Sequence, residues 1–175
     1  MLCHSLRDKL IKVAGILALS AAPVTAADDV HAFLAKVSGV AGGDTITVSE
    51  EKKAYTLRLY GVRCPPRDRP WGKEAREFVT DLVFGKEVEV KLVSDFPGER
   101  PSAIVALGAQ IINEELVKRG LAWVNTPVCR QPVCSKWKDL ESEAKSERRG
   151  LWGGPGDPQS WQGRKKGRPK DRPPE

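Results

Sequence analysis

The stretch "DTITVSEEKKAYTLRLYGV", residues 44–62, holds two alternating apolar runs on either side of a short polar turn. In the second run Tyr55, Leu57 and Leu59 occupy every other position, so their side chains share one face of an extended chain. A period of two is typical of a strand that buries one face. The stretch therefore predicts an antiparallel hairpin whose turn lies in "EEKK".

The sequence on both sides of this hairpin predicts three further strands and three helices. The continuous apolar run in "PSAIVALGA" suggests a strand buried on both faces. The order of three strands, one helix, two strands and two helices predicts an α+β chain that is mainly β, a five-stranded OB-fold Greek-key barrel with three helices. The further strands are expected at 31–40, 86–95 and 101–109, and the helices at about 71–84, 111–122 and 135–150.

The two ends of the chain differ in composition from this body. Residues 1–26 combine three basic residues, a short apolar run and small residues at "VTA", which predicts a cleaved signal peptide. Residues 153–175 are rich in proline, glycine and charge, which predicts a disordered tail. The folded domain is then expected at 27–152. We expect export to the periplasm or the medium, without stable membrane anchoring after cleavage.

Export permits disulfides, and three cysteines remain after the predicted cleavage. An odd number makes one pair and one free thiol the simplest arrangement. Cys129 and Cys134, in "CRQPVC", are close enough for a local bridge, which would leave Cys64 free. The alternative is that all three are reduced.

The net charge of +6 is concentrated outside the body. Residues 27–152 carry 20 basic and 19 acidic residues, whereas residues 153–175 carry six basic and three acidic ones. A short basic tail can bind a polyanion or simply keep the chain soluble. Both readings stay open.

The ordered motifs of the body resemble those of the staphylococcal nuclease (thermonuclease) family. The matching pieces are "GGDTITV", "LRLYGV", "PWGKEAREFV", "INEELVKRGLAWV" and "LESEAKSERRGLW". The resemblance implies an OB barrel with helices packed on it, and a calcium-dependent nuclease in active members. It implies a site in which carboxylates hold Ca²⁺, two arginines neutralise the phosphate, and a glutamate acts on the attacking water.

Three residues match parts of that site. Asp44 matches the first metal carboxylate, and its alternative is a turn aspartate bonded to its own backbone. Arg58 matches the first phosphate arginine, and its alternative is an arginine paired with a nearby acid. Arg100 matches the second arginine when "SAIV" is aligned with the family's fifth strand.

The loop after the third strand departs from the family pattern. The family has an acidic residue, a small residue, proline and glutamate there, and this chain has Arg63, Cys64, Pro65 and Pro66. A cation thus stands where a metal ligand is required, and Pro66 replaces the glutamate that acts on water. The tyrosine expected after "AWV" is Asn125.

These departures predict a monomeric binding or accessory protein with little or no nuclease activity and no cofactor. Its partner would be a polyanion, either nucleic acid or an acidic polysaccharide. One alternative is a calcium-dependent phosphodiesterase that retains Asp44. Another is an accessory role in exopolysaccharide synthesis, since exported proteins of similar layout are linked to succinoglycan. The candidate anion-binding residues are Arg58, Arg63, Arg67, Arg69 and Arg100.

Overall fold

A computed structural model of the chain describes residues 32–51, 53–94 and 100–154. The predicted signal peptide lies outside the described residues, and so does the predicted tail from residue 155 onward. Within these ranges no helix is both long and apolar enough to cross a membrane.

The described residues form eight strands, three α-helices and one terminal 3₁₀ turn. Three of the strands, β4, β7 and β8, have only two residues each. The elements in chain order are β1 (Ala32–Gly42), β2 (Thr45–Glu50), β3 (Lys53–Leu59), β4 (Val62–Arg63), α1 (Gly72–Val83), β5 (Glu87–Ser94), β6 (Ser102–Leu107), β7 (Gln110–Ile111), α2 (Ile112–Lys118), β8 (Trp123–Val124), α3 (Val133–Ser146) and the 3₁₀ turn (Gly150–Gly153).

Five of these strands close into a barrel, which confirms the predicted fold class. The sheet runs β3-β2-β1-β5-β6 with antiparallel neighbours, and β6 returns to pair in parallel with β3. The closing pairs are Arg58 with Ser102 and Leu59 with Ala103. A separate antiparallel ladder joins β4 to β8, outside the barrel sheet.

The alternating positions of the strands fill the barrel with small and branched apolar side chains. Within the opening hairpin Ile46, Val48, Leu57 and Leu59 are buried, as the period-two pattern predicts. Strand β6 has no fully exposed side chain, in keeping with its continuous apolar run. Helix α1 packs against β1, and helices α2 and α3 pack against each other.

The second helix is shorter than its apolar pattern predicts. It ends at Lys118, and Gly120 adopts a left-handed φ of 68°. The amides of Gly120 and Leu121 donate to Val117 and Leu116, which is the Schellman arrangement that ends a helix. The residues after Gly120 are therefore released to form β8, which carries side chains to the candidate site.

Candidate functional site

Asp44 stands at the entry to β2 because the preceding turn is tightly packed. A Cβ on Gly43 would lie 2.7 Å from the Cys64 sulfur and from the Ala75 Cβ, so only glycine fits there. The backbone carbonyl of Asp44 accepts a hydrogen bond from the Leu59 amide at 2.9 Å. Its carboxylate accepts one from the Thr45 hydroxyl at 3.0 Å. This arrangement holds Asp44 against the end of the third strand.

Arg63 reaches this carboxylate from the next segment of the chain. It is the last residue of β4, where it pairs with Trp123 of β8. Its Nη1 lies 3.6 Å from Asp44 Oδ2, with 30% of the arginine side chain and 19% of the aspartate side chain exposed. The cation predicted to replace a metal ligand therefore forms an ion pair with the candidate metal carboxylate.

The loop after Arg63 is half buried and closely packed against α1. Cys64 and Pro65 are buried, whereas Pro66 is exposed. The Pro66 carbonyl accepts a hydrogen bond from the Arg69 amide at 2.9 Å. A Cβ on Gly72 would lie 2.0 Å from that same carbonyl oxygen, so the helix can begin there only with glycine. These contacts fix the path of the loop beside Asp44.

A cleft of about 510 Å³ opens above the ion pair. Four of the predicted metal- and anion-binding residues contribute to its wall: Asp44, Arg63, Arg67 and Arg100. The wall is formed by residues 41–45 and 63–67 together with Arg100, Trp123 and Asn125.

Two arginines of the predicted anion-binding set do not line this cleft. Arg58 lies on β3 between Thr45 and Ser102, and its backbone amide donates to the Pro101 carbonyl at 2.9 Å. Its side chain is half buried and does not contribute to the wall. Arg69 is exposed on the outer part of the proline-rich loop. The structure thus brings together three of the five predicted arginines.

The residues of the cleft do not suit a calcium ion. Calcium takes six to eight oxygen ligands, usually with several carboxylates. Among the described residues that line the cleft, Asp44 is the only acid, and Arg63 occupies its approach. No three histidine, cysteine, aspartate or glutamate side chains in the described ranges are grouped as a metal site requires. The donor set of these described residues therefore does not fit the calcium ion that the resemblance implies.

Cys64 forms part of the cleft wall but is chemically quiet. Burial raises the pKa of its thiol well above the usual value, and the negative charge of Asp44 raises it further. A thiol with a raised pKa carries little thiolate at neutral pH, so it is a poor nucleophile and a poor metal ligand.

Trp123 is a cleft residue that the sequence reading did not identify. It is 2% exposed, and its indole N–H has no hydrogen-bond partner among the described residues. Asn125 follows two positions later and also lines the cleft, with its side chain half buried. The signal in the sequence was the spacing of two between Trp123 and Asn125, because residues two apart on an extended segment share one side.

The structure joins Cys129 and Cys134 in a disulfide and leaves Cys64 free. The bridge joins the loop after β8 to the first turn of α3, close to the start of β4. Its segment is therefore a neighbour of the cleft, although neither cysteine lines it.

Comparison with known proteins agrees with this fold. A family model described as "Staphylococcal nuclease homologue" matches residues 56–154. An "Uncharacterized endonuclease" of Escherichia coli O157:H7 is 32% identical over 146 residues, which cover 82% of this chain and 91% of that protein. An endonuclease of the same description from Haemophilus influenzae is 27% identical over 134 residues, covering 75% of this chain and 74% of that protein.

Plant proteins match over a shorter part of their length. A "Probable staphylococcal-like nuclease" of Oryza sativa subsp. japonica is 31% identical over 113 residues, which cover 65% of this chain and 33% of that protein. The chain thus spans about a third of the length of this relative. The match of the family model and the coverage of the bacterial relative confirm the resemblance seen in the motifs. The chain belongs to the staphylococcal nuclease family.

Proposed function

We propose that this protein binds a phosphodiester polyanion, nucleic acid foremost, in the cleft without a divalent metal and without the calcium-dependent hydrolysis of the family. The observation that carries the proposal is the ion pair between Arg63 and Asp44 at 3.6 Å. It places a fixed guanidinium beside the carboxylate that would otherwise bind a metal ion.

The charge of the cleft supports binding of an anion. The described residues that line the cleft include three arginines, Arg63, Arg67 and Arg100, and one carboxylate, Asp44, so their formal charges sum to +2 from three positive and one negative group. A guanidinium can donate two parallel hydrogen bonds to phosphate oxygens, so arginine suits such a ligand better than lysine.

The chemistry of phosphodiester cleavage argues against efficient hydrolysis. A nuclease must lower the barrier by roughly 15 kcal/mol or more. Phosphoryl-transfer enzymes obtain most of this from positioning and from charge stabilisation by metal ions and arginines, with a group that orients the nucleophile. Here the donor set does not fit calcium, and Pro66 has neither a carboxylate nor a backbone N–H. Arginines alone can bind the phosphate, but they do not activate water.

The names of the relatives favour a second candidate, a working nuclease. Two bacterial relatives are described as uncharacterized endonucleases, and a plant relative is described as a probable staphylococcal-like nuclease. In that case Asp44 would leave Arg63 and act with a recruited acid such as Asp68. Cleavage that requires metal and is abolished by Asp44→Ala would establish this candidate.

The cellular compartment in which the protein acts is part of the same proposal. We infer that the protein is exported, since a disulfide is a bond of oxidising compartments and rarely persists in the cytosol. An acidic exopolysaccharide would also carry the negative charge that the cleft requires, and it is the competing ligand in the test below.

The test measures binding and cleavage with the same protein preparation in the same buffers. Fluorescence anisotropy of a labelled single-stranded oligonucleotide is recorded in EDTA and in calcium, and gel electrophoresis follows nicking of supercoiled DNA. We expect saturable binding of equal affinity in both buffers and no nicking. Calcium-dependent nicking would overturn the proposal, and tighter binding of an acidic polysaccharide than of the oligonucleotide would reassign the ligand.

A further inference from the structure

The disulfide segment, defined here as residues 125–134, packs against the chain just before Arg63. The hydroxyl of Tyr60 donates to the Val128 carbonyl at 3.0 Å. The same oxygen accepts hydrogen bonds from the backbone amides of Arg130 at 2.8 Å and of Gln131 at 3.3 Å. One tyrosine side chain, 5% exposed, therefore holds three points of the segment.

Gly61 brings the bridge into direct contact with the same stretch. It adopts a φ of 70°, and a Cβ there would lie 2.5 Å from the Cys129 sulfur and 3.0 Å from the Trp137 ring. The disulfide thus lies directly against the backbone two residues before Arg63. This close approach requires a residue without a side chain.

Asn125 connects the disulfide segment to the cleft wall. Its backbone amide donates to the Gly61 carbonyl at 2.8 Å. Its backbone carbonyl accepts hydrogen bonds from the amides of Val128 and Cys129, each at 2.9 Å. Further along the ladder Val62 pairs with Val124, and then Arg63 pairs with Trp123. Tyr60 and the bridge are therefore linked by hydrogen bonds and packing to three residues of the cleft.

We propose that Tyr60 and the Cys129–Cys134 bridge are positioning elements of the anion site, which hold Arg63 and Asn125 at the geometry that the ligand requires. The inference rests on the proposed function, and it adds that affinity depends on residues that never touch the ligand. Neither cysteine nor Tyr60 lines the cleft, so an effect on binding must pass through β4 and β8.

The test compares Tyr60→Phe with Tyr55→Phe, and adds the double variant Cys129→Ser/Cys134→Ser. Tyr55 is the matched control because it is the other tyrosine, is half buried on β3, and does not line the cleft. Oligonucleotide affinity is measured over a series of salt concentrations. Hydrogen exchange of the Asn125 amide and of the β1 and β2 amides is measured without ligand.

We expect Tyr60→Phe and the double variant to weaken binding about three- to tenfold, the scale set by loss of hydrogen bonds. The slope of log affinity against log salt should fall by about 1 if one phosphate contact is lost. Loss of stability alone, in protein that remains folded, would not change this slope. The Asn125 amide should exchange faster while β1 and β2 keep their protection, and Tyr55→Phe should change neither quantity.

Unchanged affinity and salt slope in Tyr60→Phe would overturn the inference, whatever the exchange rates. If the double variant does not fold, Tyr60→Phe alone decides. If the wild type binds no polyanion, the proposed function fails, and hydrogen exchange then judges the positioning role by itself. In that case an Asn125 amide that exchanges equally fast in Tyr60→Phe and Tyr55→Phe would overturn the positioning role as well.

Discussion

The guanidinium of Arg63 and the carboxylate of Asp44 form an ion pair, with Nη1 and Oδ2 3.6 Å apart at the floor of the cleft. A bound metal ion dissociates and can be removed by a chelator, whereas an arginine is covalently attached and remains charged at every accessible pH. A site whose positive charge comes from arginine should therefore bind anions equally well with and without divalent ions.

Removal of the Asp44 charge should strengthen anion binding. In the ion pair Asp44 neutralises part of the Arg63 charge and repels the ligand, so Asp44→Asn should raise oligonucleotide affinity by about threefold. Anisotropy in EDTA measures this change. Asp68→Asn is the matched control because this acid is exposed in the neighbouring loop and does not line the cleft. A calcium-dependent nuclease would show the opposite result for Asp44→Asn, with weaker binding and lost cleavage in calcium.

Arg100 and Arg69 should differ in their importance for binding. Arg100 lines the cleft and Arg69 does not, although both are exposed. Arg100→Ala should weaken binding about tenfold, as expected for a lost charge-assisted hydrogen bond, and should lower the salt slope by about 1. Arg69→Ala should change neither the affinity nor the salt slope by much. Equal losses in the two variants would show that the ligand follows general surface charge and does not occupy the cleft.

The disulfide should contribute a modest amount to stability because the loop that it closes is short. For a bridge between residues five positions apart, the chain-entropy model gives about 2 kcal/mol. Urea unfolding of Cys129→Ser/Cys134→Ser should therefore show a lower midpoint with little change in slope. A phosphine reductant should lower the wild-type midpoint to that of the variant and leave the variant unchanged. A wild type insensitive to the reductant would contradict this prediction.

Cys64 should make stability fall with rising pH. Burial raises the pKa of its thiol in the folded chain, and the charge of Asp44 raises it further. In the unfolded chain the pKa of a cysteine is about 8.5. Below that pH both states are protonated and the contribution to stability is complete. Above it the unfolded state loses its proton first, so the free energy of unfolding decreases.

Comparison of the wild type with Cys64→Ala isolates this effect. The difference between their free energies of unfolding should be constant below about pH 8. At higher pH the wild type should lose stability relative to the alanine variant. Urea denaturation at a series of pH values measures it. A difference that does not depend on pH up to about 10 would show that the thiol is not held protonated by the fold.

The barrel could be predicted from the sequence because its strands carry the period-two pattern directly. Ile46 and Val48 in β2 and Leu57 and Leu59 in β3 alternate with polar residues and are buried, as the pattern requires. The short strands β4 and β8 escaped prediction, since two residues are too few to show a period. The end of α2 was placed too late because Gly120 stops the helix through its backbone conformation while the apolar spacing continues.

The candidate site was less predictable than the fold. The aligned motifs place a cation where a metal ligand is expected, but they do not predict that Arg63 pairs with Asp44, because the β4–β8 ladder that holds Arg63 joins it to Trp123, 60 positions along the chain. The same ladder places Trp123 at the cleft; a tryptophan by itself fits a core position equally well, so its spacing of two from Asn125 is the one signal in the sequence for this role. Arg58 and Arg69 share their type with the cleft arginines, and only the fold separates the two groups, because Arg58 lies on β3 and Arg69 on the outer part of the loop.

Calorimetric titration of calcium into the wild-type protein and into Arg63→Asp tests most directly whether a guanidinium has replaced the metal. The wild type should give only heats of dilution, because Asp44 is paired with Arg63 and the described residues that line the cleft include no second carboxylate. The Arg63→Asp variant, which adds that carboxylate and removes the cation, should gain calcium affinity. Saturable binding of one calcium ion by the wild type, abolished by Asp44→Asn, would contradict this prediction.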